Sequence, residues 1–273
     1  MILELKGKDK INQFITIFTN IQKICTDTNL VIGKDGLYTQ GLSLGNASIV
    51  EVNLNRDWFD NSKGNLDNKL VGIHCEILAN VMKCYQEGQS IKISLYEEST
   101  EELIIYFEGK GHDKEFKIKM MDIDSAQLEI PEIETVADLT INSVEFTKII
   151  LQLKYFGEYV KISMGHDDNI YMETSGDVGN MKVRIKEEDI EEYGLEEGET
   201  YTGSFMLGCL QSFCSFLKLN EIMTLHFIKD NPMCMIFNLD DWKTDEDWEK
   251  EEEEEEKKPK NYVRFYLAPS IDD

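Results

Sequence analysis

The sequence predicts an α+β protein of two similar domains in tandem, each with antiparallel sheets carrying two helices on one face. Three observations predict it. The hydrophobic pattern repeats at a fixed offset of 132 residues, each repeat switches between a helical and a strand period, and a carboxylate-rich, extended stretch separates the repeats.

The first repeat opens on a helix. Phe14, Ile17, Phe18, Ile21 and Ile24 recur at spacings of three and four and so share one helical face. Shifted by 132 residues they become Phe146, Ile149, Ile150, Leu153 and Phe156. Leu30 and Ile32, with counterparts Ile162 and Met164, alternate as a half-buried strand does. Leu78 and Val81 match Leu210 and Phe213 on a second helix. Ile91, Ile93 and Leu95 match Met223, Leu225 and Phe227, while Leu103, Ile105 and Phe107 match Met235, Phe237 and Leu239, all in strand alternation. Gly33-Lys34-Asp35-Gly36 and Gly165-His166-Asp167-Asp168-Asn169 read as hairpin turns. Gly109-Lys110-Gly111 reads as another turn and not as a phosphate loop, because no helical pattern follows it.

These elements divide the 273 residues into a first domain over 1–118, a connector over 119–136 and a second domain over 137–273. A segment at about 240–260 stands apart. It holds twelve acidic and five basic residues, including six consecutive glutamates from Glu251 to Glu256, and like-charge repulsion there opposes folding.

Composition excludes several function classes. Asp plus Glu number 53 against 28 Lys plus Arg, a net charge of −25, so this is not a general electrostatic binder of nucleic acid. Any contact with DNA must use a local basic surface. No apolar run approaches the ~18 residues of a membrane span, and the first residues lack the pattern of a signal peptide. Cys25, Cys75, Cys84, Cys209, Cys214 and Cys234 form no CxxC pair and read as reduced thiols. His74, His112, His166 and His226 are scattered, with no HExxH, GxSxG or GxxxxGK[ST] motif. Asp122, Asp124, Glu129, Glu132 and Glu134 could form a metal or acid–base cluster, but nothing sets their environments apart as a catalytic pair requires. The sequence favours a binding protein without enzyme activity, metal or cofactor.

Several segments resemble the proliferating cell nuclear antigen family. Lys119-Met120-Met121-Asp122-Ile123-Asp124-Ser125-Ala126-Gln127-Leu128-Glu129-Ile130-Pro131-Glu132 resembles that family's interdomain connecting loop nearly residue for residue. Tyr266-Leu267-Ala268-Pro269-Ser270-Ile271-Asp272 resembles its C-terminal signature, and residues 36–54, 72–84 and 143–163 align without gaps. The resemblance implies a DNA-clamp fold: a closed ring of three subunits, helices lining a channel around duplex DNA, sheets outside. It implies a homotrimeric processivity factor that encircles double-stranded DNA without reading sequence. Its implied partners are a DNA polymerase, a clamp loader, and replication and repair proteins with short hydrophobic-aromatic peptides. The implied location is the nucleus or the replication compartment of a DNA virus.

Residue by residue, the resemblance puts Lys10, Lys83, Lys148, Lys154 and Lys218 in the channel, where weak phosphate attraction suffices. Gln13, Asn80, Leu151 and Gly208 stand where the family commonly has lysine or arginine, implying a less positive channel. The partner-peptide pocket would comprise Leu42, Ala47, Ile49, Leu128, Ile130, Pro131, Pro232, Tyr266, Leu267, Ala268, Pro269 and Ile271. Ser43, Asn46 and Thr135 depart from the family around that pocket, implying a different peptide preference. The subunit interface would pair residues 115–119 with 176–183, through Phe116 and Ile118 on one side and Val178, Gly179, Met181 and Val183 on the other. His166 replaces the family's modified lysine, so ubiquitin signalling at that site is not expected. Competing readings are a subunit of a checkpoint-type mixed ring, a processivity factor that forms no ring, and, from another class, a metal-dependent enzyme using Asp122 and Asp124.

Overall fold

Local sequence sets the helices. Asn142 caps the third of them: its side-chain oxygen accepts from the backbone N–H of Val144 (3.0 Å) and of Glu145 (3.2 Å), a cap worth about 1 kcal/mol. In the first, the helical stripe buries Ile11, Phe14, Ile17 and Phe18, each contributing about 1.5–3 kcal/mol.

The computed structural model describes residues 1–64, 67–95, 101–124, 127–130, 134–165, 169–186, 189–229, 231–240 and 260–270. The first half runs β1 (Ile2–Leu5), α1 (Lys8–Asn20), β2 (Asp27–Gly33), β3 (Gly36–Leu42), β4 (Ser48–Asn55), β5 (Asn61–Lys63), β6 (Lys69–His74), α2 (Cys75–Met82), β7 (Gln89–Ser94), β8 (Glu102–Gly109) and β9 (Lys114–Lys119). The second runs β10 (Ala137–Asn142), α3 (Ser143–Leu153), β11 (Tyr159–Met164), β12 (Ile170–Gly176), β13 (Gly179–Ile185), β14 (Ile190–Leu195), β15 (Tyr201–Met206), α4 (Leu207–Cys214), β16 (Ile222–Phe227), β17 (Met233–Asn238) and β18 (Tyr262–Leu267). The order of elements is the same in both halves.

The sheets repeat as well. The first half contributes β5-β1-β7-β8-β9 and β4-β3-β2-β6; the second contributes β14-β10-β16-β17-β18 and β13-β12-β11-β15. One strand from each half joins two of these into a nine-stranded sheet, β18 pairing antiparallel with β4. At that junction Phe265 lies opposite Val50 and Val263 opposite Val52, all buried, while Glu51 and Arg264 face each other on the outer side, 4.0 Å apart. Helix α1 packs on α2 and α3 on α4.

The 132-residue offset holds along α2 and α4, along β6 and β15, and between Asn29 and Lys161. It fails at one place in the sequence reading. Ile93 lies opposite Ile105, and its counterpart Leu225 lies opposite Met235. Met235 is therefore the counterpart of Ile105, not of Leu103. The turn between these strands is two residues shorter in the second half, and a two-residue slip keeps every side chain on its own face. Gly36 closes the β2–β3 hairpin at φ +120°, with backbone so near that a Cβ would meet the Leu54 carbonyl at 2.2 Å. In the second expected hairpin turn, His166, Asp167 and Asp168 lie outside the described residues.

The acidic segment leaves from a closed base. The Asp240 carboxylate accepts from the backbone N–H groups of Lys260 (2.8 Å) and Asn261 (3.3 Å). Residues 241–259 lie outside the described residues. Among the described residues, no helix is long and apolar enough to cross a membrane.

Candidate functional site

Three strands of the first half hold the connector. The backbone N–H of Met121 donates to the Gly72 carbonyl on β6 (2.9 Å). Asn29 on β2 donates through Nδ2 to the Ile123 carbonyl (3.1 Å). Gln40 on β3 brackets Leu128, its Oε1 accepting from the Leu128 N–H (2.8 Å) and its Nε2 donating to the Leu128 carbonyl (3.1 Å). Gly72, Asn29 and Gln40 stand opposite one another in a single row across the sheet. Position 72 requires glycine, because a Cβ there would meet the Met121 carbonyl at 2.2 Å. Sequence reasoning missed these three anchors; without the strand register nothing marks them as one row.

Around the connector, apolar side chains reach solvent. Leu42 is 40% exposed, Leu128 47% and Leu44 87%. Leu42 lies opposite Ile49, and Ile49 opposite Tyr266, in the row next to the anchors. The Ala268 N–H donates to the Ala47 carbonyl (2.9 Å), so the segment after β18 runs beside this patch. Burial, then the nearby Cys234 and Glu51, push the Tyr266 phenol upward and keep it neutral. Ile130 and Pro269 are partly covered, and Ala268 and Pro232 are exposed. Leu267 is a correction: its side chain is 1% exposed and belongs to the core, because strand alternation that turns Tyr266 outward turns Leu267 inward. Pro131 and Ile271 lie outside the described residues.

The five candidate channel lysines all lie on or just after the helices. Lys148 on α3 is spent on Glu145 (2.6 Å), and Lys10 on α1 is 3.7 Å from Asp60. Lys83, at the end of α2, donates to the Asn80 side-chain oxygen (3.1 Å). Among the described residues, Lys83, Lys154 and Lys218 have no carboxylate within ion-pair distance. Gln13 does not point to open solvent: its Nε2 donates to the Leu219 carbonyl (3.0 Å), tying α1 to the second half.

Strands β9 and β13 are each the last strand of their sheet. Phe116 is partly buried and packs on Phe107 (5.2 Å), and Ile118 is 5% exposed. On β13, Met181 and Val183 are partly buried against the core. Val178, 78% exposed, tops the turn into Gly179, which has φ +143°.

Asp122, Asp124 and Glu129 are each exposed on the connector. Among the described residues, no cluster of His, Cys, Asp or Glu has the geometry of a metal site.

Two family models match the chain: proliferating cell nuclear antigen, N-terminal domain, over residues 4–128, and proliferating cell nuclear antigen, C-terminal domain, over residues 129–246. The boundary between them falls in the connector, and the two matched regions carry the same order of strands and helices. The chain therefore belongs to the proliferating cell nuclear antigen family of DNA sliding clamps.

Proposed function

We propose that three copies close head to tail into a ring around duplex DNA, and that the ring tethers a polymerase and other DNA-processing proteins through the apolar patch beside the connector. The observation that carries this reading is a match between the open edges and the internal junction. By order in the sheets, β9 is the counterpart of β18 and β13 of β4. Inside one chain β18 pairs with β4. The same pairing between chains joins β9 of one copy to β13 of the next. Such a contact uses two different surfaces, so it runs head to tail and closes into a ring where its rotation allows.

Copying the internal register onto the open edges sets Phe116 opposite Met181 and Glu115 opposite Lys182. The second pair repeats Glu51–Arg264 with the signs reversed. The exposed Val178, at the turn into β13, offers apolar area at that edge.

A ring retains DNA by topology, so the sparse helix lysines need only soften the channel wall for phosphates. Lys10, Lys83, Lys148, Lys154 and Lys218 are assigned that role. The peptide pocket is assigned to Leu42, Ala47, Ile49, Leu128, Ile130, Pro131, Pro232, Tyr266, Ala268, Pro269 and Ile271. A peptide inserting one apolar and two aromatic side chains there gains about 25 cal/mol per Å² of apolar surface buried. The family is non-catalytic, and this reading gives the chain no reaction of its own. Its place of work is the nucleus or a viral replication compartment, and a loader opens the ring.

Catenation tests the reading. A Phe116→Cys/Met181→Cys variant is oxidised with nicked circular duplex DNA and washed in high salt. Cross-linked trimers should stay with the circles and leave when the DNA is cut to linear form. Trimers that never remain with circles, or that remain after cutting, contradict encirclement.

A further inference from the structure

The row that anchors the connector in the first half has a counterpart in the second. Ser204 on β15, Lys161 on β11, Glu173 on β12 and Lys182 on β13 stand opposite one another in the order of Gly72, Asn29, Gln40 and Glu51. The start of the docking is repeated too. The Ser270 N–H donates to the Ser204 carbonyl (2.7 Å), as the Met121 N–H donates to Gly72. Residues beyond Ser270 lie outside the described residues. A cavity of about 460 Å³ opens along the row, lined by Lys161, Glu173, Lys182, Tyr159, Ser175 and Asn180 among others.

The row keeps the hydrogen-bonding order of its counterpart. Lys161 is a donor where Asn29 donates to a peptide carbonyl. Glu173 is an acceptor where Gln40 accepts from a peptide N–H. The Glu173 Oε1 holds Lys182 (2.5 Å), leaving its second oxygen for a ligand. Among the described residues, Lys161 has no carboxylate partner. The segment bound on the first-half row is acidic, with Asp122, Asp124 and Glu129 within residues 120–130. The neighbouring row differs: Ser175 and Asn180 stand where Leu42 and Ile49 form the apolar patch.

We propose that this second-half groove is a docking site for an extended acidic peptide of a partner protein, laid across β11 to β13 with a carboxylate on Lys161. Such a peptide is read by charge and backbone hydrogen bonds, not by an apolar plug. All the named residues come from one chain, so the site stands whether or not the ring forms.

The probe is a fluorescein-labelled peptide with the sequence of residues 119–130, titrated into the full-length protein by fluorescence anisotropy, with the mass of each sample measured in parallel. The first-half row already holds its own connector, so free peptide meets the second. We expect saturable binding of one peptide per chain, at least tenfold weaker in Lys161→Glu. Lys161→Ala should give a smaller loss in the same direction. Absence of saturable binding overturns the proposal, as does equal binding by Lys161→Glu. A loss that follows Gln40→Ala instead places the peptide on the first half and also overturns it.

Discussion

The outer faces of the two halves share one scaffold and differ in what lies on it. In the first half the row Gly72–Asn29–Gln40 is covered by the connector, and the next row carries Leu42 and Ile49. In the second half Ser270 meets the start of the row Ser204–Lys161–Glu173, a cavity opens along it, and the next row carries Ser175 and Asn180. The inward phase of the strands is apolar in both, because both pack against a helix pair. The outward phase is free to diverge, and there the duplicated fold carries two different surfaces.

The comparison breaks most visibly at Gly72. Gly72→Val forces the Met121 backbone away and is expected to cost about 1–3 kcal/mol, read from the urea midpoint. Its counterpart Ser204 already carries a Cβ, so Ser204→Ala should cost less than about 1 kcal/mol.

The apolar row comes next. Leu42→Asp should weaken a peptide carrying one apolar and two aromatic residues at least tenfold, about 1.4 kcal/mol, by isothermal calorimetry. Ser175→Leu with Asn180→Ile should give the second half measurable affinity for that peptide. Unchanged binding in both variants would remove the assignment of the pocket to this row.

A smaller effect tests whether the open edges copy the internal junction. Glu115→Lys alone should raise the concentration at which the assembly dissociates, through loss of one opposite-charge cross-strand pair. Adding Lys182→Glu should restore it. Two additive losses would mean that these residues do not meet.

The smallest effect separates the halves by pH. His226 Nδ1 lies 2.5 Å from Asp138 Oδ1 in the second half, where the first half has Ser94 opposite Ile2. Burial alone would raise the Asp138 carboxyl; the hydrogen bond and charge of His226 outweigh it and hold the carboxyl below its ordinary range. Its stabilisation is complete above the unfolded value near 3.9 and fades as pH falls through the lowered folded one. Asp138 is half exposed, so the term is under about 1 kcal/mol. Asp138→Asn should flatten the acid limb of the stability curve.

Much of this was legible in the sequence. Helical and strand periods are set by burial, so Phe14 and Phe146, or Ile32 and Met164, carry the same signal after residue identity has gone. The connector was legible because its residues, 119–132, match a family directly. The slip between Leu103 and Met235 was not, since alternation has a period of two and cannot register a shift of two. Gly72, Asn29 and Gln40, or Lys161, Glu173 and Lys182, are separate surface residues in the sequence. Only the strand register aligns them. Leu267 was misplaced because a matching motif names a run of residues, whereas a pleated strand offers alternate ones.

The most direct test of the central claim is the absolute mass in solution, by light scattering after size exclusion over a range of concentration and salt. Closure of β9 on β13 predicts one species of three copies of 31.6 kDa, about 95 kDa, with no open-ended growth. A monomer that persists at the highest concentration, or a series that lengthens without closing, would contradict the ring.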